Sequence, residues 1–376
     1  MYGYMNLSRD KKGLCMEGLF NRRYLRVKVM QSVYAFDSAN QNIEQGEKSL
    51  IKSVDEVFNL YVHMLSLLLE VVEMSRKSIE LKKEKRLATE SDLNPELRFA
   101  YNGAALTLEN NKKYKVYSEK IDWSIESDNI KKIWKDVEED KKYKAFMSNP
   151  RHNFQHDVEI MIYIFKNYIA VNEVILDLFE DRNIYWYDDV QMVSINVVKT
   201  LSALRPGIDV EEVPNADESL NALKLQHGSD DYHPDIIKAG DVLTAAQENW
   251  NESISGKILT PLFKNEREDL KFVKELYHKT ILQSEASMEL IEKYTKNWDI
   301  ERIARLDTVI MKIAITEFTS FASIPVKVTM NEYLEISKSY STEKSRIFIN
   351  GILDKVLIDL KKEDRLNKSG LGLINR

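Results

Sequence analysis

Apolar residues recur at three- and four-residue steps in several long stretches of this chain, which is the spacing of one face of an α-helix. In the clearest stretch, residues 299–317, acidic side chains come first, and such side chains are favourable in a first helical turn. The pattern predicts a helix of about five turns with one wide buried face. Its apolar positions are Ile303, Leu306, Val309, Ile310, Ile313 and Ala314.

A second helix is predicted after a break at Ile324-Pro325. The residue before a proline is pushed towards extended conformations, so the chain should turn there. Thr329 and Glu332 have the spacing of a capping box. This spacing predicts that the next helix begins at Thr329.

The last helix is predicted to begin at Ser341-Thr342. Gly351 interrupts its pattern. A glycine inside a helix costs about 1 kcal/mol relative to alanine, so we expect another helix to approach closely at Gly351. The apolar positions of this helix are Ile349, Ile352, Leu353, Val356, Leu357 and Leu360.

Residues 19–36 predict a helix near the amino terminus, with Leu25, Val29, Val33 and Phe36 on its apolar stripe. Arginine is almost never fully buried without a partner. Three arginines near the helix start should therefore extend beyond the core, in solvent or on a partner. Cations there oppose the helix dipole at about 0.3–1 kcal/mol each, so their repetition indicates an anion such as RNA phosphate; the alternative is a solvated charged end. The three are Arg22, Arg23 and Arg26.

Between these terminal helices lie four more predicted helices, at residues 45–85, 130–147, 157–179 and 190–204, and a helix or helix pair at residues 266–297. The first and third are strongly apolar. Charged side chains interrupt both well short of the roughly 20 apolar residues that a membrane span requires, so we expect buried helices and no membrane association. Residues 87–130 are rich in turn signals, and residues 209–247 are acidic and loop-like.

Three separated segments near the carboxyl terminus resemble the NusB family of bacterial transcription antitermination factors. They are residues 324–332 (IPVKVTMNE), 335–338 (EISK) and 348–355 (FINGILDK). Residues 21–34 (NRRYLRVKVMQSVY) resemble the arginine-rich first helix of that family. The resemblance covers the first helix and about the last hundred residues, and it is silent on roughly 220 residues between them.

The resemblance implies an RNA-binding factor in transcription antitermination and termination. It would bind single-stranded boxA-type leader RNA together with a small-subunit ribosomal protein (NusE) during ribosomal-RNA transcription, with other antitermination factors and RNA polymerase as indirect partners. It implies a cytoplasmic protein without a cofactor. By resemblance the RNA-binding residues are Arg22, Arg23, Arg26, Lys28, Arg346 and Phe348, and the partner-binding residues are Tyr34 and Glu317.

This sequence departs from the family pattern at Lys344 and Ile347, where relatives often carry an acidic and a basic residue respectively. The resemblance therefore does not imply which RNA bases this chain prefers. Two alternatives stay open. In the first, the chain is a non-catalytic RNA-binding accessory domain, since NusB-like domains also occur in ribosomal-RNA cytosine methyltransferases. In the second, it is a helical scaffold for protein–protein contacts.

The predicted fold is all-α: a NusB-like helical bundle formed by the N-terminal and C-terminal helices, plus an inserted helical subdomain. We predict a disordered leader at residues 1–18, the first NusB-like helix at 19–44 and the inserted helical subdomain at 45–208. An acidic linker at 209–262, the C-terminal NusB-like module at 263–365 and a tail at 366–376 complete the prediction.

The composition of the chain bears on the kind of RNA site, on the fold class and on the cellular compartment. The 376 residues carry a net charge of −6, so any RNA site must be a local basic patch on an acidic body. Only 12 Gly and 7 Pro favour long helices over a β architecture. The single cysteine, Cys15, forms no intramolecular disulfide, which favours a reducing compartment.

Enzymatic signatures are absent from the sequence. It contains neither GxxxxGK[ST] nor GxGxxG, the loops that bind phosphates in nucleotide-dependent enzymes. His152 and His156 lie four residues apart, but without an HExxH glutamate or a cysteine partner they are better explained as a surface pair at a helix start. His63, inside an apolar stretch, is expected to be a hydrogen-bonded core histidine. We therefore predict a binding protein rather than an enzyme.

Overall fold

The computed structural model describes residues 18–39, 42–87, 89–205, 258–295, 303–366 and 368–370. Within these ranges all regular secondary structure is helical, as the all-α prediction requires. The predicted leader, most of the acidic linker and most of the tail lie outside the described residues, as do Asp299 and Glu301.

The helices are numbered here in chain order. The first ten are α1 (Arg22–Ser38), α2 (Ile43–Lys83), α3 (Glu90–Leu93), α4 (Gly103–Glu109), α5 (Lys112–Ser118), α6 (Ser127–Glu139), α7 (Lys141–Met147), α8 (Phe154–Ile164), α9 (Glu173–Arg182) and α10 (Val190–Ala203). A π-helical turn, Phe165–Ile169, follows α8 directly. The remaining helices are α11 (Glu266–Leu282), α12 (Ser284–Thr295), α13 (Arg305–Ser320), α14 (Val326–Tyr340) and α15 (Glu343–Lys362).

The chain forms two compact units. The terminal unit comprises Met16–Asp55 and Pro261–Arg376, and the middle unit comprises Glu56–Thr260 with Met1–Cys15. The boundary between Asp55 and Glu56 falls inside α2. The family-like segments at both ends of the sequence therefore belong to one unit.

Helix α13 is the centre of the terminal unit. It packs against α1, α11, α12, α14 and α15. Its stripe at Val309, Ile310, Ile313 and Ala314 is completely buried, as the apolar spacing predicts. Ile303 lies before the helix, and Leu306 is only half-buried, so the buried face begins one turn later than the pattern predicted.

In the middle unit, α2 supplies an almost wholly buried stretch from Val57 to Val72. By length and composition α2 is the one helix of the described residues that could span a membrane, and 67% of its most apolar window is buried within the protein. His63 on this helix donates a 2.7 Å hydrogen bond from Nδ1 to the Asn59 carbonyl, and burial lowers its pKa. It contacts the Trp186 ring edge-on.

The single helix predicted at residues 157–179 is divided in the structure. Helix α8 passes into the π-helical turn Phe165–Ile169, and Asn172 then caps α9 by accepting a hydrogen bond from the Ile175 amide. An N-cap side chain competes with helix continuation, because it satisfies a free amide. The predicted helix at 130–147 is likewise divided, since the Asp140 side chain caps α7.

Two helix-start predictions are corrected in the terminal unit. Helix α14 begins at Val326 after the N-cap Pro325, and Thr329 lies inside it. Thr329 and Glu332 do not form a capping box; both side chains bond to other helices, as described below. The start of α15 is confirmed, since the Thr342 hydroxyl accepts from the Ser345 amide at 3.1 Å.

The expected close approach at Gly351 is wrong. The residue is exposed, and a Cβ atom there would have no neighbour within 4 Å. A close approach occurs instead at Gly46 in α2, where a Cβ atom would overlap with the hydroxyl group of Tyr277. Tyr277 is fully buried, and burial raises its pKa to about 12.

We predict that Ile310→Ala lowers the free energy of unfolding by about 2–5 kcal/mol, the range for emptying a packed aliphatic site. Ile310 is 0% exposed on the central helix. The half-buried Leu306 on the same helix is the matched control, and Leu306→Ala should cost less than Ile310→Ala. Urea unfolding of both variants tests this order, and equal midpoints for the two would contradict it.

Candidate nucleic-acid interface

The amino-terminal end of α1 presents two exposed guanidinium groups and one buried one. Asn21 caps the helix by accepting a 3.0 Å hydrogen bond from the Tyr24 amide. The side chains of Arg22 and Arg23 are each 44% exposed, whereas that of Arg26 is 3% exposed. The three predicted RNA-binding arginines therefore lie in different environments.

Arg26 forms a buried ion pair with Glu317 of α13. Its Nε and one terminal nitrogen each donate a 2.8 Å hydrogen bond to a different oxygen of the Glu317 carboxylate. The other terminal nitrogen donates to the Arg22 carbonyl at 3.1 Å. Two parallel bonds of this kind fix the geometry as well as the charge. The expectation that Arg26 extends into solvent is wrong, because a carboxylate in the core binds it.

Two side chains of α14 complete the shell around the Glu317 carboxylate. The Thr329 hydroxyl donates to it at 2.8 Å and the Tyr333 hydroxyl at 3.0 Å. With the two bonds from Arg26, the carboxylate accepts four hydrogen bonds, which is close to its capacity. The cluster of Arg26, Glu317, Thr329 and Tyr333, called here the buried ion cluster, thus joins α1, α13 and α14.

Electrostatics keep this cluster charged. Burial acts to lower the pKa of Arg26, but the hydrogen bonds and charge of Glu317 outweigh it and raise that pKa above its ordinary value. Burial and the Glu317 charge together hold the pKa of Tyr333 well above its usual range. The tyrosine therefore remains a hydrogen-bond donor at every physiological pH.

The two exposed arginines are also paired, but at the surface. Arg22 lies 3.1 Å from a carboxylate oxygen of Asp269, and its guanidinium lies 4.5 Å from the centre of the Phe272 ring. Arg23 donates to both oxygens of Glu332, at 2.9 and 3.1 Å. The surface pair of Arg23 with Glu332 contributes only about 0–1 kcal/mol, so another anion can displace Glu332 at little cost. Asp269 is 6% exposed, and it would keep the hydrogen bond from the Asn265 amide if Arg22 left it.

An open cavity of about 810 Å³ lies beside these arginines. Its wall contains four cationic side chains and three carboxylates, with the rings of Phe272 and Phe321 at the base. The two rings meet edge-to-face with centres 5.6 Å apart. The charged wall residues are Arg22, Arg23, Arg26, Lys271, Glu268, Glu275 and Glu332.

The other end of α1 carries Tyr34, which is 40% exposed. The Arg305 guanidinium lies 5.7 Å from its ring centre, and Lys312 forms a 3.4 Å ion pair with Asp37. Both partners belong to the first half of α13, whereas Arg26 pairs with the second half. Helices α1 and α13 are therefore antiparallel.

Arg346 and Phe348 lie near the start of α15. The Ser341 hydroxyl, just before that helix, donates to Asp307 at 2.6 Å, so α15 begins beside the start of α13. That is the Tyr34 end of α1. The structure consequently separates Arg346 and Phe348 from Arg22 and Arg23 by about the 25 Å length of α1. Arg346 forms an ion pair with Glu343.

Lys28 and Glu317 are the other predicted site residues whose environment differs from expectation. Lys28 is 2% exposed and Glu317 is 0% exposed. Neither side chain reaches the surface of the protein, so an external ligand cannot touch them in this conformation. The exposed or half-exposed members of the predicted set are Arg22, Arg23, Tyr34, Arg346 and Phe348.

The sequence reasoning missed the carboxylate and aromatic partners of the arginines, Asp269, Glu332 and Phe272. One signal was available. Glu317 lies four residues after Ile313 and three after Ala314, on the apolar side of α13. A glutamate on a core face is almost never buried unpaired, which predicts a cationic partner but not which one.

Metal binding finds no support in the described part of the chain, which contains no group of three or more His, Cys, Asp or Glu side chains placed to hold an ion. His152 instead bonds through Nε2 to the buried Asp157 at 3.0 Å. Asp157 in turn accepts a 2.9 Å hydrogen bond from the Gly103 amide at the start of α4. This pair orders a helix start in the middle unit.

Comparison with known proteins bears on the terminal unit. The sequence model of the NusB family matches residues 237–357. A protein of Natranaerobius thermophilus named transcription antitermination protein NusB is 32% identical over 147 residues, which are 39% of this chain and 95% of that protein. The chain belongs to the NusB family.

Two further NusB relatives match over shorter parts of their length. The Salinibacter ruber protein of the same name is 44% identical over 103 residues, 27% of this chain and 64% of that protein. The Chloroherpeton thalassium protein is 45% identical over 85 residues, 23% of this chain and 40% of that protein. No solved structure matches this chain.

The NusB family model begins at residue 237, so it leaves the described middle unit almost entirely outside the match. The two departures from the family pattern, Lys344 and Ile347, are both exposed near the start of α15, and Ile347 is 66% exposed. An apolar side chain thus occupies a surface position beside Arg346 and Phe348.

We predict that Arg26→Met costs about 3–5 kcal/mol of unfolding free energy, because it leaves the Glu317 carboxylate buried without its counter-ion. The double variant Arg26→Met/Glu317→Leu should be more stable than the single variant, since it removes both charges. Denaturant unfolding of the wild type, both singles and the double gives the coupling energy. Additive effects would contradict a direct interaction.

Proposed function

We propose that this chain is a transcription antitermination factor that binds single-stranded boxA-type leader RNA together with a small-subunit ribosomal protein (NusE) in the bacterial cytoplasm. The observation that carries the proposal is the 95% coverage of a relative named transcription antitermination protein NusB. The RNA would bind to the terminal unit, with other antitermination factors and RNA polymerase as indirect partners. On this proposal the protein acts by binding and not by catalysis.

Burial decides which arginines are available to the RNA. Arg22 and Arg23 are exposed; Arg23 holds Glu332 by a surface pair of about 0–1 kcal/mol, and Arg22 pairs with Asp269, whose carboxylate also accepts from the Asn265 amide. Removing Arg26 from Glu317 would leave a buried charge, at about 3–5 kcal/mol. We therefore assign phosphate contacts to Arg22 and Arg23. Arg26 is a positioning residue that holds the start of α1 against α13.

The cavity beside these arginines is lined by cations that suit RNA phosphates. Its rings, Phe272 and Phe321, are only 5% and 9% exposed, and Arg22 lies over Phe272 while Lys279 lies over Phe321. The assignment of a single strand here therefore rests on phosphate contacts and on the family. A strand that also reached Arg346 and Phe348 would run along α1 for about 25 Å. The exposed Ile347 beside them replaces a basic residue of relatives, so we expect weaker phosphate binding at that end.

The protein partner is proposed to bind at the Tyr34 end of α1. Tyr34 is exposed and rests against Arg305, whereas Glu317, the second residue expected at the partner face, is wholly inside the core. Tyrosine and arginine are the residue types that most often dominate the affinity of protein interfaces. Tyr34 and Arg305 thus form the better candidate contact.

The RNA proposal predicts that Arg22→Gln/Arg23→Gln weakens binding of a boxA-type RNA and flattens its salt dependence. Each lost phosphate contact of a single strand should reduce the slope of log K against log salt by about 0.7, so the double variant should lose about 1.4. Fluorescence anisotropy across a salt series measures this slope.

The matched control removes two exposed arginines of the middle unit, in the variant Arg86→Gln/Arg151→Gln. It changes the net charge equally and should keep the wild-type slope. Circular dichroism and the unfolding midpoint confirm that each variant is folded. A folded Arg22/Arg23 variant with the wild-type slope would reject α1 as the phosphate-binding element.

The partner proposal predicts that Tyr34→Ala reduces binding of the small-subunit ribosomal protein about tenfold or more, as expected for loss of a central interface aromatic. Tyr187→Ala, at a 64% exposed tyrosine of the middle unit, is the control. Titration calorimetry with the purified ribosomal protein measures both variants. Equal affinities for the two would exclude the Tyr34 surface.

A further inference from the structure

Helix α5 of the middle unit presents an unusually basic stretch of surface. Residues 112–120 contain four lysines and one glutamate in a chain whose net charge is −6. All four lysine side chains are exposed. Between them lie the exposed Val116 and Tyr117, at 65% and 48%. The lysines are Lys112, Lys113, Lys115 and Lys120.

The helix that carries these side chains is firmly held. Asn111 caps it by accepting a 2.8 Å hydrogen bond from the Tyr114 amide. The Tyr114 side chain is 6% exposed, and burial raises its pKa to about 12. One inward-facing tyrosine thus anchors α5 to the core of the middle unit. The exposed side chains of α5 are therefore positioned by an ordered helix, which favours more specific contacts than a mobile charged loop would make.

Tyr117 stands on this surface between two cations. Its ring meets the Phe58 ring edge-to-face, with centres 4.8 Å apart, so the packing holds it while about half of it remains exposed. Lys113 lies four residues before Tyr117 and Lys120 three residues after it. The four-residue spacing places Lys113 and Tyr117 on one side of the helix, about 6 Å apart along its axis, whereas Lys120 follows the helix end at Ser118.

Ion pairing distinguishes three lysines of this stretch from the arginines at the start of α1. Within the described residues Lys113, Lys115 and Lys120 form no ion pair. Arg22 and Arg23 of α1, in contrast, are both neutralised by carboxylates. An unpaired ammonium group attracts an incoming anion with its full charge. No existing ion pair has to be broken before the anion binds.

Helix α6 offers a second comparison in the same unit. It also carries three exposed lysines, at Lys131, Lys132 and Lys135, but acidic residues alternate with them. Lys131 pairs with Asp128 at 3.0 Å, and the next turn contains Asp136, Glu138 and Glu139. The number of exposed lysines does not distinguish the two helices, but the acidic residues around the lysines of α6 do.

We propose that the α5 surface, defined as Lys113, Lys115, Tyr117 and Lys120, is a second binding site for single-stranded RNA, in the part of the chain that the family match leaves out. The lysines would bind phosphates, and one base would stack on the free face of Tyr117. Phosphate neutralisation combined with stacking on aromatic rings is the general chemistry of single-strand binding. The inference takes its ligand class from the proposed function, but it rests on a different surface.

An anionic membrane surface would also attract lysines, but α5 fits it less well. Helices that lie on membranes bury a broad apolar face among the lipids. The large apolar side chain of α5 that is buried, Tyr114, points into the protein, and Val116 alone is an exposed aliphatic residue in this seven-residue helix. The exposed aromatic ring is better suited to a planar base.

The test uses the full chain and an oligouridylate of about 16 nucleotides, the upper end of single-strand site sizes. The variant Lys113→Gln/Lys115→Gln/Lys120→Gln should lower the slope of log K against log salt by about 2, since three phosphate contacts are lost. The matched control, Lys131→Gln/Lys132→Gln/Lys135→Gln on α6, should keep the slope of the wild type. Equal slopes for the two variants would overturn the inference.

Stacking is tested separately at Tyr117. Tyr117→Ala should weaken binding about 5- to 100-fold, the loss expected for one stacked base, whereas Tyr117→Phe should retain affinity because the ring remains. Equal loss in both variants, or in neither, would overturn the stacking contact. Thermal unfolding of each variant verifies that the contact with Phe58 is not needed for folding.

Two further arms separate this inference from its alternatives. Vesicles with an anionic lipid fraction serve as a probe, and lysine-dependent binding to vesicles without lysine-dependent binding to RNA would overturn the RNA assignment. The Arg22/Arg23 variant is measured in parallel. RNA binding that depends on α5 but not on Arg22 and Arg23 would support this inference while rejecting the α1 site of the proposed function, and the reverse result would do the opposite.

Discussion

The terminal unit depends on one buried charge pair. Arg26 and Glu317 are both removed from water, and the desolvation of each ion costs several kcal/mol. Such a pair persists only where its hydrogen bonds are nearly all satisfied, as they are here through Thr329 and Tyr333. Because the four side chains come from three helices, the pair tolerates one arrangement of those helices. It fixes the register of α1, α13 and α14 in a way that apolar stripes alone do not.

The same pair determines which neighbouring charges are free to act. With Arg26 committed to the core, the exposed end of α1 is left with Arg22 and Arg23, each in a surface pair that an anion can replace. RNA binding at this end of α1 would then replace the carboxylate partner of each arginine with a phosphate. Within the described part of the chain, Lys113, Lys115 and Lys120 form no ion pair that an anion would have to displace, so the two surfaces should differ in how strongly they depend on competing anions.

The sequence predicted the helical class, the apolar stripes of α1, α13 and α15, and the family. These features rest on local periodicity and on short motifs. It misplaced the start of α14, because Thr329 and Glu332 have capping-box spacing but bond to residues of other helices. It predicted single helices at residues 130–147 and 157–179, and each is divided in the structure. Asp140 and Asn172 act as helix caps within these otherwise helical patterns. The partners of Thr329 and Glu332 lie on other helices, so local spacing cannot reveal them. The caps at Asn172 and Asp140 bond to amides within three residues, but the apolar spacing continues across them.

The candidate site shows the same limit. Spacing identified Arg22, Arg23 and Arg26 as a group, but their exposure depends on partners that lie between 247 and 309 residues further along the chain. The lining of the cavity likewise joins Phe272 of α11 with Phe321, which follows the end of α13. The sequence shows which residues are charged, but it does not show which of those charges are buried.

The sequence separation within the buried ion cluster also has a consequence for synthesis. Arg26 precedes Glu317 by 291 residues. At the usual rate of about 5–20 residues per second, α1 leaves the ribosome roughly 15–60 seconds before its counter-ion is made. During that interval the apolar stripe and the cations of α1 have no native partner, while the intervening chain has time to fold. Formation of the buried ion cluster therefore waits until most of the intervening chain has been made.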